Sequence, residues 1–174
     1  MTLFSALLPP AEAIEALRAE LDRLGAGGDG LRWEPPERWH ITLGFYGVVE
    51  DEKRQVDWLR ERLRGHPAPT LRLAGSGTFP GVLWIGVDGS GVLELGTAAG
   101  AGREGREYHP HLTLARARRA VPSRWKRRLA GFRGEPWTAA EAVLMRSERD
   151  DRGPRYTVVE AFPLPAQRAD RGSE

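Results

Sequence analysis

The chain has 174 residues, of which 29% are charged and 40% hydrophobic, a composition typical of a soluble globular protein with one domain. It contains no cysteine, which excludes disulfide bonds, thiol nucleophiles and thiolate metal sites. The net charge of +2 hides an asymmetry, because residues 103–155 hold 14 basic and 7 acidic side chains. Such a basic segment favours an anionic partner, nucleic acid first among them, although an arginine-rich surface without a partner would have the same composition.

The first half of the chain alternates apolar runs with turn residues. The apolar run at residues 3–8 is too short for a signal-peptide core or a membrane span, so it predicts a buried strand and a cytoplasmic protein without membrane contact. Apolar residues at helical spacing then predict an amphipathic helix from Ile14 to a stop at Gly25. Further elements follow in chain order: a strand at 40–45, a helix over 56–63, strands at 71–73 and 82–87 separated by a loop at 75–81, and a short helix at 91–99.

The second half repeats this order after a flexible connector at 100–107. The predicted elements are a strand at 111–116, a short helix at 123–130, strands at 139–145 and 155–161, and a polar tail at 167–174. Strand, helix, strand, strand therefore recur at almost equal offsets from two histidines, which indicates an internal duplication. We predict a single bilobal domain over residues 1–166, in which two related halves meet across a cleft.

One tetrapeptide pattern, His-x-Thr-Leu, begins at His40 and again at His111. Two of only four histidines carry it, which makes a chance recurrence rare. Alternate side chains of a strand face the same way, so each histidine shares a face with the threonine two residues later. The sequence therefore predicts that His40, Thr42, His111 and Thr113 line a groove, while the apolar residues between them enter the core.

These residue types suit phosphoryl transfer without a metal or another cofactor. Two imidazoles with an ordinary pKa near 6.5 can divide the work, one accepting a proton from the attacking hydroxyl or water and the other protonating the departing oxygen. Threonine hydroxyls can donate hydrogen bonds to the non-bridging phosphate oxygens, where negative charge lies. In-line attack requires the acid and the base on opposite sides of phosphorus, as two facing strands would supply.

The residues around both histidines resemble the two-histidine phosphoesterase superfamily, and within it the RNA 2′,3′-cyclic phosphodiesterases, also called 2′-5′ RNA ligases. The likeness covers Leu31–Trp33 and Trp39–Phe45 in the first half and Tyr108–Arg116 in the second. It also includes the opening residues 3–7 and the closing residues 156–164. The resemblance thus spans almost the whole chain.

The resemblance implies an α+β fold, bilobal and pseudo-symmetric, with antiparallel sheets flanked by helices around a central cleft. It implies a metal-independent hydrolase that opens a 2′,3′-cyclic phosphate at an RNA end and leaves a 2′-phosphate. In that reaction His40 is the general acid and His111 the general base, while Thr42 and Thr113 hold the phosphate. Some members also run the reverse, ATP-independent joining reaction, and the division of roles between the two histidines stays open at this point.

The fifth residue after each histidine is Phe45 in the first half and Arg116 in the second. Both side chains can stack on a nucleobase, and the resemblance implies that they sandwich the terminal base of the substrate. Simple alternation along a strand would instead turn both toward the core, so this role requires the strands to twist or end there. The alternative is a core position for Phe45 and a surface ion pair for Arg116.

Other hypotheses stay open beside this one. The substrate could be a small cyclic nucleotide such as ADP-ribose 1″,2″-cyclic phosphate, or the chain could bind RNA ends without turnover. His109 and His111 have a spacing that chelates metals, but Glu107 is the one acidic residue near them, so we predict no metal. The basic run at 116–128, which includes Trp125, either follows RNA phosphates or is the solvated face of a helix. The working prediction is a monomeric RNA phosphodiesterase.

Overall fold

The computed structural model describes residues 1–102 and 105–167. Within these ranges the chain forms nine β-strands, four α-helices and one short 3-10 helix. The strands are β1 (Thr2–Leu7), β2 (Arg32–Trp33), β3 (Ile41–Gly47), β4 (Thr70–Phe79), β5 (Val82–Ser90), β6 (His111–Arg116), β7 (Trp137–Thr138), β8 (Glu141–Asp150) and β9 (Gly153–Pro163). The helices are α1 (Ala11–Arg23), α2 (Glu52–Leu63), α3 (Val92–Ala98) and α4 (Ser123–Leu129), with the 3-10 turn at Pro36–Arg38.

The strands form one curled antiparallel sheet in the order β7-β4-β5-β6-β3-β1-β8-β9, and β2 pairs with β6 beside this path. Its narrowest link joins β3 to β6 through a single registered pair, Ile41 with Leu112. On either side of that link lies a half-sheet of four strands, β6-β5-β4-β7 and β3-β1-β8-β9. The predicted α+β class with antiparallel halves is confirmed, and the two halves are continuous through the β3–β6 link.

Each half-sheet contains a strand that follows the motif strand of the other half-sheet in the chain. Strand β4 follows the first motif strand β3, but it pairs with β5 and so belongs to the half-sheet of β6. Strand β8 follows the second motif strand β6, but it pairs with β1 and so belongs to the half-sheet of β3. Each half-sheet therefore takes strands from both halves of the chain. The two motif strands, β3 and β6, are neighbours in the middle of the sheet.

The helices pack their apolar faces against the sheet. Leu17 and Leu21, one turn apart on α1, are buried in the same cluster as Leu59 of α2. That cluster also contains Ile41 and Leu112, the pair at the narrow link. Fully burying an aliphatic side chain stabilises a fold by about 1.5–3 kcal/mol. Packing of the helices against this cluster therefore stabilises the link between the two motif strands.

Most predicted elements are present, but the loop expected at 75–81 is wrong for its first five residues. Strand β4 continues to Phe79, with a register shift between Leu73 and Ser76. Gly77 pairs with Trp84 on β5, and a Cβ at position 77 would collide with that indole ring. The glycine in this strand therefore makes room for an aromatic ring and does not end the strand.

Two predicted segments are described only in part. The connector at 100–107 has no helix or strand in residues 100–102, 106 and 107, and positions 103 and 104 lie outside the described residues. Of the predicted tail at 167–174, only Gln167 is described; its side-chain amide donates to the Ala68 carbonyl oxygen at 3.2 Å. In the described ranges no helix has the length and apolar character needed to cross a membrane.

Candidate functional site

The segment that leads into β3 is tied to the second motif strand, and this brings His40 beside β6. The backbone N–H of Glu34 donates to the Leu114 carbonyl oxygen at 2.7 Å. Trp39, which is 4% exposed, donates its indole N–H to the Glu34 carbonyl oxygen at 3.0 Å. His40 follows this anchored tryptophan directly, so its position is fixed relative to the strand that carries His111.

Both motif histidines are oriented by the same kind of hydrogen bond. Nδ1 of His40 lies 2.7 Å from the carbonyl oxygen of Arg38, and Nδ1 of His111 lies 2.7 Å from that of His109. Because a carbonyl oxygen only accepts, each Nδ1 carries the hydrogen, and Nε2 is the nitrogen that exchanges a proton. Each Nε2 can then accept a proton when the ring is neutral or donate one when it is charged.

A cleft of about 250 Å³ brings all six predicted site residues together. His40 and Thr42 line it from the β3 side, while His111 and Thr113 line it from β6. Phe45 and Arg116 complete the predicted set. The cleft also contains side chains that the sequence analysis did not single out: Thr2, Phe4, Glu34, Arg38, Ser147 and Tyr156.

Phe45 and Arg116 reach the cleft because each motif strand carries a one-residue bulge at the same place. In the pairing of β3 with β1, Thr42 and Gly44 oppose consecutive residues, so Leu43 is the extra residue. In the pairing of β6 with β5, Leu114 is the extra residue in the same way. A bulge shifts the alternation of side chains by one position. Phe45 is consequently 67% exposed, and a core position for it is excluded.

The bulge in β3 is supported by a buried polar side chain. The Gly44 N–H donates to Ser5 Oγ at 3.1 Å, and that hydroxyl lies 2.8 Å from the Tyr46 hydroxyl. Tyr46 in turn donates to the Ala99 carbonyl oxygen at 2.7 Å. A Cβ at position 44 would collide with the same carbonyl oxygen, so the bulge requires glycine there.

Each imidazole packs against two aromatic rings. The His40 ring lies 4.9 Å from Phe4 and 5.3 Å from Tyr156, measured between centroids. The His111 ring lies 5.0 Å from Phe79 and 6.0 Å from Trp84. These neighbours limit the orientations that the two rings can adopt.

Burial is the main electrostatic influence on both histidines. It lowers the pKa of His40, and the charges of His111 and Arg116 add to this effect. The hydrogen bond to the Arg38 carbonyl and the charge of Glu34 act in the opposite direction. Burial also lowers the pKa of His111; its backbone hydrogen bond opposes this, and the charges of His109 and Arg116 add to it. Both imidazoles therefore lose their proton more readily than a free histidine does.

An acidic side chain between two arginines was missed by the sequence analysis. Glu34 Oε1 lies 3.6 Å from Arg116 Nε, and Glu34 Oε2 lies 3.7 Å from Arg38 Nη1. The predicted surface ion pair of Arg116 thus exists, but it is formed inside the cleft. No pattern in the sequence marks Glu34, because its position depends on the pairing of β2 with β6. Tyr156 was noted only as part of the family resemblance.

The sequence also suggested a metal-chelating spacing at His109 and His111 and a contact of Trp125 with RNA. The rings of His109 and His111 lie 6.5 Å apart between centroids, and the described residues contain no group of three side chains suited to hold a metal ion. Trp125 is buried and donates its indole N–H to Asp29 Oδ2 at 2.7 Å. Trp125 therefore belongs to the core and is not available to stack on RNA.

A second, larger groove of about 740 Å³ begins on the other side of Phe45. It is lined by side chains of residues 45–51, by the adjoining turns of α2 and by residues 100–102 and Arg106, and it contains none of the motif histidines or threonines. The chemistry that the motif residues offer is therefore confined to the smaller cleft. Phe45 lies between the two spaces and lines both.

The chain is similar to known phosphoesterases over most of its length. The family model described as LigT-like phosphoesterase matches residues 7–86 and 93–156, which include both motifs. The RNA 2′,3′-cyclic phosphodiesterase of Methanothermobacter thermautotrophicus is 30% identical over 78% of this chain and 83% of its own length. The protein of the same name from Archaeoglobus fulgidus is 31% identical over 70% and 76%.

Two solved structures show the same fold. The Thermus thermophilus protein TT0787 superposes with a TM-score of 0.76 at 29% identity, covering 97% of this chain and 100% of its own. E. coli LigT complexed with NADP+ superposes with a TM-score of 0.73 at 27% identity, covering 94% and 97%. The likeness therefore extends over nearly the full length of both proteins.

Proposed function

The chain belongs to the LigT-like phosphoesterase family, and on that premise we propose that it hydrolyses 2′,3′-cyclic phosphates at RNA ends to 2′-phosphomonoesters. The names of the relatives support this substrate, and the nucleotide bound to E. coli LigT fits a site for nucleotides. One observation carries the proposal most directly. His40 and His111 share one cleft, and each uses Nδ1 for a backbone hydrogen bond, so two Nε2 atoms serve proton transfer.

In this mechanism each histidine handles one proton. His111 Nε2 accepts a proton from water as the water oxygen attacks phosphorus. The bond from phosphorus to the 3′ oxygen breaks, and protonated His40 donates its Nε2 proton to that oxygen. The products are a free 3′-hydroxyl and a 2′-phosphate, with His111 left charged and His40 neutral. Proton exchange with solvent then restores both groups.

The other predicted residues bind the substrate. Thr42 and Thr113 donate hydrogen bonds to the non-bridging oxygens, where charge accumulates in the transition state. Phe45 and Arg116 hold the terminal base by stacking. Each threonine lies two residues after its histidine, so the groups that bind the phosphate and those that move protons share the same strands.

We propose that the reaction needs neither a metal nor another cofactor, because both proton transfers and the stabilisation of charge are assigned to side chains of this chain. Both histidines come from one chain, which supports a monomeric enzyme formed by a single bilobal domain over residues 1–166. A cytoplasmic location is part of the same proposal, since RNA ends are the substrate.

The same groups support a joining reaction. If the 5′-hydroxyl of a second RNA replaces water, His111 accepts its proton and the same bond to the 3′ oxygen breaks. The product is a 2′-5′ phosphodiester, formed from the energy of the cyclic phosphate without ATP. We propose that joining is the minor reaction, because water competes with the 5′-hydroxyl as the nucleophile.

The experiment that tests the proposal offers a short RNA ending in a 2′,3′-cyclic phosphate to the enzyme with EDTA present. The expected product is the 2′-phosphate, identified by chromatography against 2′- and 3′-phosphate standards. A 3′-phosphate product, loss of activity in EDTA, or full activity of the His40→Ala/His111→Ala double variant would contradict the proposal. ADP-ribose 1″,2″-cyclic phosphate serves as the rival substrate, and RNA binding without turnover would indicate a binding protein.

A further inference from the structure

Glu34 is a cleft-lining carboxylate whose oxygens have no hydrogen-bond donor in the described part of the chain. Its side chain is only 19% exposed. The two nearest cations, Arg116 Nε at 3.6 Å and Arg38 Nη1 at 3.7 Å, lie beyond hydrogen-bond distance. A carboxylate has about four acceptor positions, and no donor of the described residues fills those of Glu34. The side chain is thus prepared for a donor from outside the protein.

The chemistry of the substrate limits where that donor can come from. In an RNA end with a 2′,3′-cyclic phosphate, both ribose hydroxyls of the last nucleotide are esterified. Its 5′ oxygen is esterified as well, because it continues the chain. Every remaining hydrogen-bond donor of that nucleotide is therefore an N–H group of the base.

The position of Glu34 agrees with contact to the edge of the base. Arg116 is the side chain that stacks on the base under the proposed function, and Glu34 lies beside its Nε. A group beside a stacking guanidinium faces the rim of the stacked ring and not its surface. The two arginines also offset the negative charge, so that the carboxylate does not repel the phosphate nearby.

We propose that Glu34 reads the identity of the terminal base by accepting hydrogen bonds from its Watson–Crick edge. This inference rests on the proposed function. Guanine offers two adjacent donors, N1–H and the amino group, which match the two carboxylate oxygens. Adenine and cytosine offer one amino group next to a ring-nitrogen acceptor, and uracil offers one N–H between two carbonyl oxygens. The expected preference is guanine first, adenine and cytosine next, and uracil last.

The test measures kcat/KM for four dinucleotides that share the 5′ nucleoside and end in G, A, C or U with a 2′,3′-cyclic phosphate. Wild type is expected to favour guanine over uracil by about ten- to hundredfold. Glu34→Gln keeps the size of the side chain but replaces one acceptor with a donor. This variant is expected to lose the guanine preference and to gain relative rate on adenine, whose paired donor and acceptor suit an amide. Thermal unfolding confirms that the variant is folded.

Glu37→Gln is the matched control, because Glu37 lies three residues after Glu34, on the 3-10 turn Pro36–Arg38, is exposed and does not line the cleft. It is expected to keep the wild-type ranking. Equal rates of wild type on all four substrates, or a ranking that Glu34→Gln leaves unchanged, would overturn the role of Glu34 while leaving the hydrolysis itself standing. Failure of wild type to hydrolyse any of the four would overturn the proposed function, and the inference with it.

Discussion

His40 and His111 hold equivalent places in the two halves of the molecule, but the charged groups beside them differ. Each has an Nδ1 hydrogen bond to a carbonyl two residues back and packs against two aromatic rings. Glu34 opposes the lowering of the His40 pKa, whereas His109 adds to the lowering of the His111 pKa. The charge of Arg116 lowers the pKa of both histidines. A nearby carboxylate favours the protonated form of an imidazole, which is the form that a general acid needs. The difference supports His40 as the general acid and His111 as the general base.

Removal of either imidazole tests the pair most severely. His40→Ala and His111→Ala are each expected to lower kcat by about 10²–10⁴-fold, the usual contribution of general acid–base catalysis. The double variant should lose little more than the worse single one, because both groups act in one step. His66→Ala is the control, since His66 does not line the cleft. A rate near wild type for either single variant would contradict the claim that both halves supply a catalytic histidine.

The threonines test whether the two halves bind the phosphate equally. Thr42→Val and Thr113→Val keep the shape of the side chain but remove a donor, and each is expected to lower kcat by about 10²-fold. The steady-state kinetics of both variants should be similar, because the two threonines occupy matching positions. Thr97→Val, an exposed position on α3 away from the cleft, should leave kcat unchanged. A large effect in one half alone would show that a single strand binds the phosphate.

The two bulges differ in how they are supported, and Ser5 lies only beneath the one in β3. Ser5→Ala leaves the Gly44 N–H buried without an acceptor, which is expected to cost about 1–3 kcal/mol of the free energy of unfolding. Thermal unfolding should register this as a loss of about 2–4 °C per kcal/mol. KM should rise too, because the bulge directs Phe45 to the cleft. Ser90→Ala, at an exposed strand end, is the control, and an equal effect there would contradict this role.

The smallest expected effect is a shift of the pH profile, which tests the influence of Glu34 on the pKa of His40. Burial lowers both histidine pKa values below 6.5, so kcat/KM of the free enzyme is expected to peak on the acid side of pH 6.5. The alkaline limb reports loss of the proton from the general acid. Glu34→Gln removes a charge that favours protonated His40, so the pKa of His40 falls and this limb moves to lower pH. Glu37→Gln should leave the limb in place; an unmoved limb in Glu34→Gln would assign it to another group.

The motif residues that line the cleft could be grouped from the sequence, because their grouping depends on local alternation. His40 and Thr42, like His111 and Thr113, share a face of their strands wherever the strands lie. The resemblance to the two-histidine phosphoesterases is confirmed by the family match over both motifs. What local patterns could not supply is the placement of Phe45, because its bulge arises from the pairing of β3 with β1.

Local sequence patterns could not predict the order of the strands in the sheet either. The repeated order of elements predicted that the strands at 82–87 and 155–161 hold matching places in the two halves. In the sheet, residues 84–87 lie on β5 next to motif strand β6, whereas residues 156–159 lie on the terminal strand β9. Strands β1 and β5 are the ones that match, each pairing antiparallel with a motif strand. The exchange of β4 and β8 between the half-sheets depends on long-range pairing, which no periodicity encodes.

The division of labour between the two histidines is tested most directly by changing the leaving group. In a nucleoside 2′,3′-cyclic phosphorothiolate with sulfur at the 3′ position, the departing thiolate needs no proton. This substrate is expected to restore most of the rate of His40→Ala relative to wild type but to leave His111→Ala inactive. Rescue of His111→Ala in place of His40→Ala would reverse the two roles, and equal failure of both variants would contradict acid catalysis by His40.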